Sequence, residues 1–372
     1  MFTVSTVSME KILKATEPES IFGSLDEGGK SRSEQLRSAY QHLARRFHPD
    51  QNPKATPAAK KKATAAMAAL NVLRDRAEEK IAAGTYGQPT SIIIKAKHTY
   101  TDVIPYAAGD ICDLYSAMFQ NVKGEKKPVV LKVARSPRDA DLLANEMRVL
   151  TDLHSKTDAE ALKFRRYLPR IIESTSVKVG SVNRPVNVLS MTKDSFSLSQ
   201  IREANPEGID AADMAWMWRR NLEILSWVHA QGYVHGAVLP PHILVHQSLD
   251  PKAHFGRLVD WSYAVKIGSR IKAIASTYRG HYAPEVLAKE PATPATDIYM
   301  SACCAMGLLG LEHRGQADRV PRRILGLLKA CTLARPSARY TEIAEVYAEF
   351  DAILKEAYGP PKFRAFAMPA SD

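Results

Sequence analysis

The sequence predicts a multi-domain protein, an all-α helical hairpin followed by a larger α+β body built as two lobes. Three observations carry this reading. The chain has 372 residues, more than one domain usually holds. A long Ala-rich, basic helical pattern gives way at Gly84-Thr85-Tyr86-Gly87-Gln88-Pro89 to the β-branched run Ile92-Ile93-Ile94. Beyond that break, strand-like segments come first and helical periodicity dominates the remainder. These place a first unit at residues 1–87, a linker at 88–98, the two-lobed body at 99–356 and a tail at 357–372.

Each element has a local reason. Ser33 to Phe47 reads as a helix with Leu36, Tyr40, Leu43 and Phe47 on one face, and Pro49 must end it. A second helix is expected from Pro57 to Leu73, because proline suits a first turn and Ala63, Met67, Leu70 and Leu73 follow at spacings of four and three. Tyr100 to Ile104, Leu114 to Gln120 and Val129 to Val133 read as strands, Asp139 to Leu153 as a helix, and the runs near Ile171 and from Val186 to Met191 as strands again. Asp210 to Gln231 has a capping aspartate, an apolar face of Met214, Trp218, Leu222, Leu225 and Val228, and Gly232 just past its end. An apolar helix follows from Ile298 to Leu311, and the Pro-rich tail is expected to be poorly ordered or draped on the surface.

Composition narrows the class. A 45% hydrophobic and 24% charged chain is that of an ordinary globular protein and excludes a mostly disordered one. The formal charge of +11 favours acidic partners. Cys112, Cys303, Cys304 and Cys331 contain no C-x-x-C pair, so neither a disulfide framework nor a zinc site is expected. Met1 to Lys14 lacks a basic region followed by an apolar core, and Ser301 to Leu311 is too short to span a bilayer. A cytoplasmic protein with no membrane contact is expected. Nucleic acid is not an expected partner, because the cations are scattered without interleaved aromatics.

Between the first two helices lies His48-Pro49-Asp50-Gln51-Asn52-Pro53, directly after Arg45-Arg46. A His-Pro-Asp loop between a basic amphipathic helix and an Ala-rich helix resembles the J-domain of DnaJ-type cochaperones, over roughly residues 17–83. The resemblance implies that His48, Pro49 and Asp50 dock on a DnaK-type chaperone and stimulate its ATPase, with Arg45 and Arg46 as electrostatic contacts. Proline stiffens such a loop, and cations on the helix can meet an acidic surface. The chain departs from the family at the first helix, where Ser20-Ile21-Phe22-Gly23-Ser24-Leu25 precedes a Gly-Gly pair.

In Val129-Val130-Leu131-Lys132-Val133-Ala134 one cation sits in an apolar strand, where an unpaired ammonium is costly to bury. The following helix offers Glu146 beside its apolar face, and Arg257-Leu258-Val259-Asp260 ends a later strand with a carboxylate. In this order the three residues resemble the strand lysine, helix glutamate and metal-binding aspartate of protein kinases. Tyr282-Ala283-Pro284-Glu285, Asp297 and Arg339 extend the resemblance, toward the eukaryotic-like Ser/Thr branch, across residues 99–355. It implies nucleotide contacts at Lys132, Glu146 and Asp260, with Asp260 as a Mg²⁺ ligand if ATP binds, and structural roles for Glu285, Asp297 and Arg339. Only one glycine, Gly109, remains where the family has its phosphate loop.

The catalytic loop breaks the pattern. In Val234-His235-Gly236-Ala237-Val238-Leu239-Pro240-Pro241-His242, His235 is kept, Ala237 stands where the family has its catalytic aspartate and His242 where it has its metal-binding asparagine. Losing a positioned base typically costs about 10² to 10⁴ in rate, so a pseudokinase is expected rather than an active enzyme. The expected function is a cochaperone or adaptor. Its J-domain stimulates a DnaK-type chaperone, and its pseudokinase body binds nucleotide, an unidentified client protein, or both. The alternative is an active Ser/Thr kinase with an unconventional loop.

Overall fold

Ser31 opens a sixteen-residue helix of the N-terminal segment, Arg32–Phe47, with a capping box. Its Oγ accepts from the Glu34 amide while the Glu34 carboxylate accepts from the Ser31 amide. The computed structural model describes residues 7–369 apart from 16, 26–28, 30, 50–55, 83, 88–91, 96, 122, 180–181, 193, 247–254, 314 and 361. Its elements group into two units, Met1–Asp139 with Thr175–Val186, and Ala140–Ser174 with Asn187–Asp372. The fold is mixed α+β, with helices and antiparallel sheets. Among the described residues no helix is long and apolar enough to cross a membrane.

The first unit starts with α1 (Met9–Lys14), α2 (Glu19–Phe22), α3 (Arg32–Phe47) and α4 (Pro57–Ala82). The predicted apolar face of α3 is the buried one: Leu36, Leu43 and Phe47 join Leu70, Leu73 and Ala77 of α4 in one cluster. Tyr40 is tied to α4 by its hydroxyl, which donates to Asn71 Oδ1 at 2.6 Å. α4 runs past the expected Leu73 because its later turns also find partners. Lys80 Nζ donates to Glu17 at 2.6 Å and Glu19 at 2.8 Å, and the buried Tyr86 hydroxyl donates to the Gly23 carbonyl. The cluster is confined to residues 7–86, so the helical segment carries a core of its own.

The same unit contains β1 (Ile92–Lys95), β2 (Tyr100–Ala108), β3 (Cys112–Gln120) and β4 (Lys126–Ala134). The isoleucine run read as linker forms β1, which pairs antiparallel with β5 (Ile171–Val179) from Ile92 opposite Val179 to Lys95 opposite Ser176. With β6 (Val182–Ser190), the sheet order is β1-β5-β6-β4-β3-β2, where β5 and β6 enter the unit through Thr175–Val186. β3 and β4 pair without a break, Asp113 opposite Val133 and Leu114 opposite Lys132. Alternation along the strands therefore sends Asp113 and Lys132 to opposite faces.

The second unit adds α5 (Ala140–Ser155), α6 (Ala159–Phe164), β7 (Phe196–Ser197), α7 (Leu198–Ala204) and α8 (Ala211–Ala230). β8 (Tyr233–Val234), β9 (Ile243–His246), β10 (Phe255–Leu258) and β11 (Val265–Lys266) follow, then α9 (Pro284–Leu287), α10 (Pro294–Leu308), α11 (Arg322–Cys331) and α12 (Ile343–Tyr358). Asp210 caps α8 through the Ala212 amide, as its sequence predicts. α8 is the spine of this unit: Trp218 Nε1 and Asn221 Nδ2 both donate to the buried Ser301 hydroxyl of α10, and the Trp218 ring meets Phe350 of α12 edge-on at 4.6 Å. Because β9 pairs with β10 and β8 with β11, the loops 235–242 and 259–264 are brought side by side.

Candidate functional site

The residues singled out for chaperone docking sit at the end of α3. Leu36, Leu43 and Phe47 take the inner face, which leaves Ser38, Gln41, His42, Arg45 and Arg46 on the outside, lining a shallow depression of about 470 Å³. The Arg46 guanidinium stacks over the Phe47 ring at 5.0 Å, and Arg45 is exposed. His48 is extended at φ −60° and ψ 132°, as a residue before proline must be, so the helix stops there and His48 is exposed beside the half-buried Pro49. Asp50 lies outside the described residues.

Lys132 is buried in β4 of the first unit, and Glu146 and Asp260 belong to the second. Glu146, fully buried on α5, is held on both oxygens: Oε1 accepts from the Trp261 amide at 3.1 Å and Oε2 from Asn187 Nδ2 at 3.0 Å. Its neighbour Asn145 donates to the carbonyls of Ser262 and Ala264 at 3.0 and 2.8 Å. α5 therefore holds the segment after Asp260 through two consecutive side chains. Asp260 itself adopts the left-handed region at φ 63° and ψ 72°, uncommon for a non-glycine residue, and caps the short turn Trp261–Tyr263 through the Ser262 amide. Trp261 is fully buried, with Nε1 donating to the Leu258 carbonyl at 2.9 Å.

The sole glycine of the β2–β3 turn closes it tightly, the Gly109 amide donating to the Cys112 carbonyl at 2.8 Å. Directly after Cys112, the buried Asp113 is ion-paired to Arg76 of α4 and lies 3.8 Å from Arg135 Nε. A strand end fixed this way is a poor mobile flap for phosphates.

In the loop after β8, His235 is fully enclosed. Nε2 donates to the Val259 carbonyl at 3.1 Å, Nδ1 accepts from the Ala237 amide at 3.3 Å, and the ring meets Trp261 edge-on at 4.7 Å. Burial pushes its pKa down to about 4. Asp297, buried at the start of α10, accepts from the amides of His235 and Gly236 at 2.7 and 2.9 Å and from His229 Nε2 at 2.9 Å. It fixes the loop's backbone. Ala237, Val238 and Leu239 are all fully buried, so the position expected of a base presents a methyl group turned into the core.

His242 Nδ1 donates to the Ala237 carbonyl at 2.9 Å, and its Nε2 faces Asp260 Oδ2 at 3.3 Å. Mg²⁺ asks for an octahedron of oxygen ligands. Here the atom facing the aspartate is an imidazole nitrogen, and among the described residues no three His, Cys, Asp or Glu side chains form a metal cluster. The donor set does not fit Mg²⁺.

Glu285 and Arg339 make a buried two-pronged pair at 2.8 and 2.9 Å, completed by the Thr296 hydroxyl at 3.0 Å. Burial pushes the Glu285 carboxyl up, but the Arg339 hydrogen bonds and charge outweigh it and hold the group below the usual carboxylate range. Sequence reasoning missed Asn145, Asn187 and Arg76, all of which lock a singled-out residue or its neighbour. Asn145 is adjacent to Glu146 and could have been suspected, but nothing local marks the other two. No protein-family model and no curated protein matches the chain.

Proposed function

We propose that this chain is a cochaperone or adaptor in which a J-domain-like helical segment engages a DnaK-type chaperone and stimulates its ATPase, while a pseudokinase-like body binds a client protein, nucleotide, or both. The observation that carries the reading is the exposed His48, followed by the half-buried Pro49, at the end of α3, beside a helix face on which Ser38, Gln41, His42, Arg45 and Arg46 are exposed. An unburied basic helix face that ends in a stiffened loop is suited to an acidic partner surface. The body is read as catalytically silent on its own chemistry. Ala237 offers no proton acceptor, and His242 is engaged with the Ala237 carbonyl and Asp260.

The test is the steady-state ATPase of a DnaK-type chaperone with the full chain added. Stimulation by wild type that His48→Gln abolishes is expected. Because His48 is exposed, the variant should fold normally, and undiminished stimulation by it overturns the reading. The nucleotide component rests on Lys132 and is read separately, by thermal shift with ATP. A rise in Tm that Mg²⁺ does not enlarge and that Lys132→Ala loses is expected; no rise in the wild type removes nucleotide from the proposal.

A further inference from the structure

The end of the chain does more than trail from α12. Gly359, at φ 76°, turns it sharply, with its amide closing on the Lys355 carbonyl at 2.9 Å. The tail then reaches the start of α8, where Arg364 Nε lies 2.7 Å from Asp213 Oδ1 and Arg364 Nη2 lies 3.4 Å from Oδ1 of the capping Asp210. The tail is thus strapped across the space between α8 and α12, two helices of the same unit.

Beneath the strap lies a cavity of about 670 Å³, a size usual for small-molecule sites. Its apolar surface has a pattern. Ala212 and Ala215 keep the α8 side shallow, and Trp216, Tyr358 and Phe363 present rings to the space. Tyr358 is 44% and Phe363 49% exposed, an uncommon state for large apolar side chains gathered at one place.

The polar lining is cationic. Arg219, Arg220, Lys355, Lys362 and Arg364 face Glu223 and Asp351. Arg219 and Lys355 share the single carboxylate of Asp351, each at 2.8 Å. Arg220 takes Glu223, and Arg364 takes Asp213. Among the described residues no acidic side chain pairs with Lys362. The cavity therefore combines an aromatic interior with uncompensated positive charge at its rim, the complement of an apolar body that carries one negative group.

We propose that this cavity binds an amphipathic monoanion, an apolar body with one carboxylate, its body against Trp216, Tyr358 and Phe363 and its carboxylate at Lys362 and Lys355. The site lies wholly within the second unit and stands apart from the chaperone and nucleotide reading.

Isothermal titration of the full chain with decanoate, below its micelle-forming concentration, tests it against decyltrimethylammonium, which has the same tail and the opposite charge. Saturable binding of one decanoate per chain is expected, with no binding of the ammonium. Lys362→Glu and Phe363→Ala should each weaken decanoate by about tenfold or more, the loss of one good contact. Both residues are exposed, so neither change threatens folding. Absence of saturable decanoate binding, equal binding of the two amphiphiles, or unchanged affinity in both variants overturns the proposal.

Discussion

His235 donates to Val259, accepts from Ala237 and packs edge-on against Trp261, all away from water. Such a ring must stay neutral, and its pKa of about 4 against an ordinary 6.5 makes it a term in stability. Between those values the unfolded chain takes up a proton that the folded chain refuses, so stability is complete above pH 6.5 and falls as the pH drops toward 4. The loss is on the order of 3 kcal/mol. Urea unfolding at a series of pH values should show this slope, and His235→Asn should flatten it. The next residue is held to glycine by its backbone and its neighbours. Gly236 sits at φ 75°, and a Cβ there would come within 2.8 Å of the Tyr263 carbonyl oxygen and 3.0 Å of Ile271 Cδ1. Any side chain meets backbone. Gly236→Ala should therefore cost about 1–3 kcal/mol in the same urea measurement, from left-handed strain plus the clash.

At the scale of elements, what could be read from sequence was what local pattern determines. α3 and α8 carry caps at one end and breakers at the other, so their extents agree with expectation; the expected apolar faces are buried, and α8, packed on more than one side, also buries Met217, Ile224 and Trp227. The loops that bring His235, Ala237, His242 and Asp260 together were legible as motifs, because their spacing follows short strands. Contacts between distant segments were not legible. Nothing around Arg76 in α4 announces that it meets Asp113 of β3, because either residue alone looks like a solvated charge. Burial and the neighbouring Arg135 pull the Arg76 guanidinium below its ordinary pKa, the mark of a cation held out of water by a partner. Arg184 of β6 adds a second tie to Glu79 of α4 at 3.4 Å. These ties join the helical segment to the sheet within the first unit, across the composition break at Gly84–Pro89. Removing the shared acid is the harsher change: Asp113→Ala takes the paired carboxylate from both Arg76 and Arg135 and should cost about 3 kcal/mol, whereas Arg76→Ala leaves Asp113 its Arg135 contact and should cost less. Equal losses from the two variants would show that Arg135 does not share the acid.

For the whole molecule, the charge of +11 acquires a distribution. Some of the 51 Lys and Arg side chains are paired inside: Arg76, Arg135 and Arg339 are buried or nearly so against Asp113 and Glu285. Others are concentrated where a partner can feel them, at Arg45 and Arg46 on α3 and around the strapped cavity at α8 and α12. Buried pairs are insensitive to salt, while exposed cations act over roughly a Debye length, about 10 Å at 0.1 M. If α3 is the docking face, salt should slow chaperone association while leaving folding stability almost unchanged. Stopped-flow association with a DnaK-type chaperone should slow by about tenfold between low and physiological salt, since steering by complementary charge acts mainly on the on-rate. Arg45→Glu with Arg46→Glu should remove most of that salt dependence and slow association at low salt to near the high-salt rate. An unchanged salt slope in the double variant would move docking off α3, because no other exposed cluster on that helix would remain to supply the steering.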